Sequence, residues 1–199
     1  AQNPIRNFNI GRGCPFACSY CHNSGLVKIY HGLGPYVRNY KPERVIEEII
    51  RASKQSPIKT LHFVDDIFIT DRKWLVKFLP LYKEKVGLPF VCNIRGGMLD
   101  EALTKSLAKA GCISVFLGVE TGDEKMRMQL LKKFVTNESL KKTAGFLHKY
   151  RIKLAANNMV GLPGETLDQA IETIKLNAEL KVDLPWCAIF QPYPGTEMA

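Results

Sequence analysis

Residues 152–180 read IKLAANNMVGLPGETLDQAIETIKLNAEL and contain one complete strand–turn–helix pattern. An apolar segment, 152–160, predicts a strand, and a turn with glycine and proline follows it. Apolar residues spaced three and four apart then predict an amphipathic helix over 167–180, where Thr166 and Gln169 have the spacing of a capping box. The apolar face of that helix consists of Leu167, Ala170, Ile171, Ile174 and Ala178.

The same alternation runs through the chain. Apolar, β-rich segments occur at 5–10, 58–64, 88–94, 112–118, 152–160 and 185–191. Helical spacing occurs between them at 42–55, 71–86, 99–110, 136–150 and 167–180. Pro42 suits a first helical turn, Gly111 suits a helix end, and Pro80 is expected to kink or end its helix. Strands separated by helices indicate a parallel α/β fold, and an open doubly wound sheet and a six-unit barrel both fit.

Length and composition fit one globular domain over residues 1–199. The chain is 46% hydrophobic and has no apolar run near the ~18–20 residues that cross a membrane. It has no signal-peptide pattern, so we expect a cytoplasmic protein. Because it also lacks an initiator Met and an obvious terminal element, we expect a segment of a longer protein. The net charge is +9, but the basic residues are spread along helices, so a solvated surface is favoured and nucleic-acid binding is unlikely.

The distinctive motifs fall after predicted strands, where chemistry is placed in parallel α/β folds. The first strand is followed by three closely spaced cysteines. Later strands are followed by Val64-Asp65-Asp66, Gly118-Val119-Glu120-Thr121-Gly122, Gly161-Leu162-Pro163-Gly164-Glu165 and Pro192-Tyr193-Pro194-Gly195. This agreement between motif position and topology predicts one site at the carboxyl edge of the sheet.

The cysteines Cys14, Cys18 and Cys21 have the spacing C-x3-C-x2-C. Thiolates select zinc, copper(I) or iron–sulfur clusters, and a structural zinc normally has four protein ligands. His22 is adjacent to Cys21 and would strain a shared tetrahedral site. The other three cysteines lie in predicted strands and are expected to be packing residues: Cys92, Cys112 and Cys187. Three ligands suit an iron–sulfur cubane with one open iron.

Two other classes of function stay open from the residues alone. An iron–sulfur electron carrier would need a fourth cluster ligand and has no use for the motif-bearing loops. A zinc-stabilised nucleic-acid binder predicts strong salt dependence of binding. Neither accounts for the loops after the strands.

The cysteine loop, with Tyr20 before its last cysteine, resembles the radical S-adenosylmethionine (SAM) superfamily. Phe63-Val-Asp-Asp-Ile-Phe68, the motifs around Glu120 and Gly161, and Pro192-Tyr-Pro-Gly-Thr196 extend the resemblance over essentially the whole chain. It is most similar to the subgroup that often carries an N-terminal cobalamin-binding domain, which this sequence does not include. The resemblance implies a partial (β/α)6 TIM-like barrel.

The resemblance also implies an activity. Cys14, Cys18 and Cys21 would hold a [4Fe–4S] cluster, and reductive cleavage of SAM would give a 5′-deoxyadenosyl radical. The reaction could be cobalamin-dependent methyl transfer, or an oxidative cyclisation or rearrangement. The implied partners are a flavodoxin- or ferredoxin-type electron donor and a small-molecule or peptide substrate.

Family positions imply the SAM contacts. Tyr20 would lie beside the adenine, although plain packing is the alternative. Asp65 and Asp66 replace the glycine-rich segment of many relatives and would contact the SAM ammonium. Arg95 would hold the SAM carboxylate or form a surface salt bridge. Glu120 would accept the ribose hydroxyls or cap a helix near Asp123. The remaining candidates are Ser114 and, beside the adenine, Gly161, Pro163 and Gly164, whose glycines a tight turn also explains.

Overall fold

The computed structural model describes residues 4–199 and shows a six-stranded parallel sheet with a separate two-stranded ladder. The strands are β1 Ile5–Phe8, β2 Gly11–Arg12, β3 Arg38–Asn39, β4 Thr60–Phe63, β5 Phe90–Ile94, β6 Cys112–Glu120, β7 Lys153–Val160 and β8 Leu184–Ile189. The helices are α1 His22–Ile29, α2 Pro42–Gln55, α3 Arg72–Lys85, α4 Glu101–Ala110, α5 Glu124–Gln129, α6 Asn137–Lys149 and α7 Leu167–Glu179.

The strand order of the large sheet is β1-β4-β5-β6-β7-β8, which follows the chain without reversal. A doubly wound sheet reverses its order at a switch point, so this order excludes that alternative. Within residues 4–199, β1 and β8 each pair with one neighbour, so the sheet is not closed. The six predicted strands and five predicted helices are confirmed, with ends shifted by a few residues. No helix in the described part of the chain is both long and apolar enough to span a membrane.

Local signals account for the helix ends. The Thr166–Gln169 capping box is present, and Gly111 ends α4 with φ of 110°. The expectation for Pro80 is wrong in one respect, because α3 continues through it to Lys85. A proline removes one hydrogen bond, here to the carbonyl four residues earlier at Val76. Val76 and Pro80 are both exposed, so water can solvate that carbonyl.

The core lies between the sheet and its helices. At its centre lies a cluster of aromatic rings that contact one another edge-on or at a tilt: Phe63, Phe68, Phe78, Tyr82 and Phe90. Cys92 and Cys112 are buried beside this group, as expected for packing residues. Cys187 is exposed on the edge strand β8, so the expectation that it packs in the core is wrong.

Helix α7 presents a different face to the sheet than its apolar pattern predicts. Ile174 is 71% exposed, whereas Thr173 and Asn177 are buried. Thr173 accepts a hydrogen bond from the backbone N–H of Gly122, and the Asn177 amide exchanges hydrogen bonds with Asn158 on β7. Buried polar groups need partners, so this network sets the rotation of the helix.

Arg127 organises the chain after β6. Its guanidinium is fully buried and donates to the carbonyls of Val119, Thr121 and Val135 and to the Asn137 side chain. Burial lowers its pKa to about 10, which leaves it charged at neutral pH. Arg127 therefore fixes the path between the end of β6 and the start of α6.

We predict that Arg127→Met lowers the free energy of unfolding by at least about 2 kcal/mol, because each buried carbonyl left without a donor costs about 1–3 kcal/mol. Urea unfolding followed by circular dichroism measures the change. Arg44→Met, an exposed arginine on α2, is the matched control and should stay within about 0.5 kcal/mol of the parent chain. Equal losses in the two variants would contradict the role given to Arg127.

Candidate cofactor site

The cysteine loop, residues 13–21, lies at the carboxyl edge of the large sheet and is anchored to the segment that follows α5. The Ser19 N–H donates to the Leu131 carbonyl at 3.0 Å, and the Ser19 hydroxyl donates to the Leu130 carbonyl at 2.6 Å. From the other side, the Glu197 N–H donates to the Ser19 carbonyl. A loop without regular structure has to satisfy its polar groups in this way.

The three loop cysteines are unpaired thiols. Cys14 and Cys18 are buried, and Cys21 is partly exposed. Burial raises the pKa of Cys14 to about 11 and also raises the pKa of Cys21, and the nearby Cys18 adds to both effects. All three lie close enough to interact electrostatically. A metal that binds them must displace the protons.

Three thiolates on one loop can bind a single metal ion or a cluster. A tetrahedral zinc with Zn–S bonds of about 2.3 Å needs its sulfurs within about 4 Å of one another. Residues 4–199 contain no group of three or more His, Cys, Asp or Glu side chains placed to hold one metal ion. A cubane binds each cysteine at a different iron, so its ligands stand farther apart. The two alternatives therefore differ in the sulfur–sulfur distances that they require.

Two buried side chains reach the cysteine sulfurs. Arg95 follows β5, and its Nη1 donates to the Cys18 Sγ at 3.3 Å while its Cζ lies 4.0 Å from the centre of the Phe16 ring. Asn23 places Nδ2 3.7 Å from the Cys21 Sγ. Arg95 was predicted as a ligand of the SAM carboxylate or a surface ion pair; it is buried, so the surface alternative is wrong.

Glu120 ends β6 with a φ of 69° and directs its carboxylate at the cysteine loop. Oε1 accepts hydrogen bonds from the Tyr20 hydroxyl at 2.9 Å and the Lys133 ammonium at 2.6 Å. Burial and the Glu120 charge raise the pKa of Tyr20 well above its usual value, so the phenol keeps its proton. A Cβ at Gly118 would collide with both Glu120 and Lys133, which explains the glycine there. The helix-capping alternative for Glu120 is wrong, because Asp123 caps α5.

Lys133 is the functional-site residue that the sequence reasoning missed. In the sequence it is half of a Lys132-Lys133 pair, and the sequence favours a solvated surface for the basic residues in general. Lys132 is exposed, as expected, but the Lys133 side chain is only 6% exposed and faces the Glu120 side chain, which is 10% exposed. Nothing in its spacing from the Gly-x-Glu motif distinguishes Lys133 from a surface lysine in a single sequence.

The two aspartates after β4 have different surroundings. Asp65 is buried and accepts hydrogen bonds from the backbone N–H groups of Ile10 and Gly11 at 2.8–3.1 Å. Both its oxygens accept backbone hydrogen bonds, so Asp65 holds the chain just before the cysteine loop, and its contact with SAM stays a prediction. Asp66 is exposed, and its charge acts on both Cys14 and Cys21.

The other residues predicted to contact SAM lie at opposite ends of their strands. Ser114 is near the amino end of β6, six residues or roughly 20 Å before Glu120, and its hydroxyl donates to the Lys153 carbonyl at 3.2 Å. This position, at the opposite end of the strand from Glu120, gives no support to its predicted SAM contact. Gly161, Pro163 and Gly164 do form the turn after β7, and the Glu165 carboxylate accepts the Gly161 N–H.

The Radical SAM superfamily model matches residues 8–176, and the chain belongs to that superfamily. Its members use a [4Fe–4S] cluster and SAM, and the strand order found here is that of their partial barrel.

Individual relatives cover nearly all of this chain. An uncharacterised methyltransferase of Pyrococcus horikoshii is 27% identical over 94% of the chain, and an anaerobic magnesium-protoporphyrin IX monomethyl ester cyclase of Rubrivivax gelatinosus is 29% identical over 96%. The chain spans 39% and 33% of their respective lengths. Among solved structures, TsrM of Kitasatospora setae, a radical SAM methyltransferase with cobalamin and a [4Fe–4S] cluster bound, matches 98% of this chain and 36% of its own, with a TM-score of 0.82 and 17% identity. That similarity confirms the partial barrel.

We predict that Lys133→Met lowers the free energy of unfolding by about 3–5 kcal/mol, because it leaves the Glu120 charge buried without its partner. Glu120→Gln added to Lys133→Met should recover part of this loss, and a double-mutant cycle measured by urea unfolding quantifies the coupling.

Lys132→Met is the matched control for that cycle. Lys132 is the preceding residue and forms an exposed ion pair with Glu197, so its loss should cost about 0–1 kcal/mol. A Lys133→Met chain as stable as this control would contradict the buried pair.

Proposed function

We propose that this chain is the catalytic core of an enzyme that holds a [4Fe–4S] cluster through Cys14, Cys18 and Cys21 and cleaves SAM reductively. The observation that carries the proposal is the link from the cysteine loop to the end of β6: three unpaired thiols stand beside Tyr20, which donates to Glu120. That link supports a cluster and a nucleoside ligand in one site.

The ligand set suits catalysis more than electron transfer alone. Three cysteines would leave one iron open for an exchangeable ligand. When bound, the cluster and SAM supply the one-electron chemistry that breaks a carbon–sulfur bond. A carrier would need a fourth protein ligand, yet Cys92 and Cys112 are buried among core residues and Cys187 lies exposed on β8. Their positions disfavour the electron-carrier alternative.

The protein side chains would bind and orient SAM. Within residues 4–199, Glu120 Oε2 has no hydrogen-bond partner, so it is available to accept ribose hydroxyls while Oε1 is held by Lys133 and Tyr20. Tyr20 would lie beside the adenine. Asp66 would pair with the SAM ammonium, as its exposure and its closeness to the cysteines allow. The turn of Gly161, Pro163 and Gly164 would contribute backbone to the adenine edge.

Methyl transfer is the reaction that the similar proteins favour, because the Pyrococcus relative and TsrM are both described as methyltransferases. TsrM is also described with cobalamin bound, which supports cobalamin as a further cofactor of the parent protein. Oxidative cyclisation is the second candidate, supported by the cyclase of Rubrivivax gelatinosus. We further propose a small-molecule or peptide substrate, a flavodoxin- or ferredoxin-type electron donor and a reducing, cytoplasmic setting, which suits the six unpaired thiols.

Anaerobic reconstitution of the chain with iron and sulfide tests the proposal. We expect about four irons per chain and, with SAM and a strong reductant, 5′-deoxyadenosine. Cys18→Ala should lose product by at least tenfold, because it removes a cluster ligand. Cys187→Ala, an exposed cysteine outside the loop, should match the parent chain.

Two results separate the alternatives. A cluster that yields neither 5′-deoxyadenosine nor, with cobalamin added, S-adenosylhomocysteine would favour an electron carrier. A chain that binds zinc tightly but assembles no cluster would contradict the proposal outright.

A further inference from the structure

Arg95 is a buried, charged side chain that contacts two residues of the cysteine loop. The residue is 6% exposed, and its guanidinium lies between the Phe16 ring and the Cys18 sulfur. The contact with Phe16 is a cation–π interaction at 4.0 Å, which orients the planar group. Within residues 4–199, Cys18 Sγ is the one acceptor that receives a hydrogen bond from this guanidinium. The geometry therefore directs its charge at a predicted cluster ligand.

The three cysteines differ in what donates to them. Cys18 faces a cation at 3.3 Å, and Cys21 faces the neutral amide of Asn23 at 3.7 Å. Asn23 is itself held by the Tyr36 hydroxyl, which donates to its Oδ1 at 2.6 Å. Cys14 has a hydrogen bond with the backbone of Phe16, which acts to lower the pKa of its thiol. The cationic contact is thus confined to one corner of the predicted cluster.

We propose that Arg95 raises the reduction potential of the cluster through its hydrogen bond to Cys18, and that it is not a ligand of the SAM carboxylate. This inference rests on the proposed function, since it requires that Cys18 bind iron. It makes Arg95 a positioning residue, which acts on the reacting atoms through the cysteine.

Charge explains the direction of the effect. Reduction adds one electron to the cluster and takes up no other group, so negative charge on the iron and its sulfurs increases. A cation beside one of those sulfurs stabilises the reduced form more than the oxidised form, and hydrogen bonds to cluster sulfurs have the same effect. Burial strengthens both, because water screens the charge less. Loss of Arg95 should therefore make reduction harder.

The test is a redox titration of the reconstituted chain without SAM, followed by electron paramagnetic resonance (EPR). Three variants separate charge from hydrogen bonding: Arg95→Lys keeps the charge, Arg95→Gln keeps a donor, and Arg95→Met keeps neither. We expect Arg95→Met to lower the reduced-to-oxidised ratio at a fixed potential at least tenfold, which is about 59 mV for one electron. The other two should lie between it and the parent chain. Arg44→Met should leave the potential unchanged.

The affinity of the variants for SAM distinguishes an effect of Arg95 on the cluster from a role as a ligand of the SAM carboxylate. If Arg95 holds the SAM carboxylate instead, the variants will keep the parent potential and lose SAM affinity, and the inference is overturned. If the parent chain assembles no cluster, the proposed function fails, and this inference fails with it for a different and visible reason.

A measurement on the parent chain tests the inference even if the Arg95 variants do not assemble the cluster. With 15N-labelled arginine, pulsed EPR of the reduced cluster should detect hyperfine coupling to a guanidinium nitrogen near Cys18. Absence of that coupling would overturn the inference even if every variant misfolds.

Discussion

The buried ion pair between Lys133 and Glu120 is the interaction on which the site depends. It holds the Glu120 carboxylate at the end of β6, where the same Oε1 accepts the Tyr20 hydroxyl. Gly118 leaves the space that the pair occupies, and the residues just before Lys133 accept both hydrogen bonds that Ser19 donates. The segment between α5 and α6 therefore supports the cysteine loop and Glu120 together. Because separated buried charges are costly, the arrangement is constrained to one geometry.

The cysteine loop has no regular secondary structure, so its shape comes from side chains on neighbouring strand ends. Asp65 after β4 binds the backbone just before it, Arg95 after β5 contacts its middle, and Glu120 at the end of β6 binds Tyr20. These three strands are neighbours in the parallel sheet, which brings their carboxyl ends to the same edge. A site of this kind therefore needs some polar groups that bind the cysteine loop and others that would bind SAM. Glu120 contacts the loop through Oε1, and under the proposed function its Oε2 would accept the SAM ribose hydroxyls.

The fold could be predicted from the sequence because its signals are local and repeated. Strand and helix alternation, capping pairs and the glycine after α4 each act within a few residues. The sequence reveals least where a long-range partner decides the outcome: Asp65 accepts hydrogen bonds from the backbone near β2, and α7 turns its polar Asn177 inward to meet Asn158. A carboxylate after a strand looks the same in sequence whether it meets a ligand or a backbone amide. For the same reason Lys133 was indistinguishable from its exposed neighbour Lys132.

We propose that the three cysteines hold a cluster with one open iron beside Glu120. EPR of the reduced, reconstituted chain, recorded with and without SAM, is the decisive measurement. Binding of SAM at an open iron should change the spectrum, and Glu120→Gln should require more SAM for the same change. A spectrum that is identical with saturating SAM would mean that SAM does not reach the cluster, and it would contradict the account.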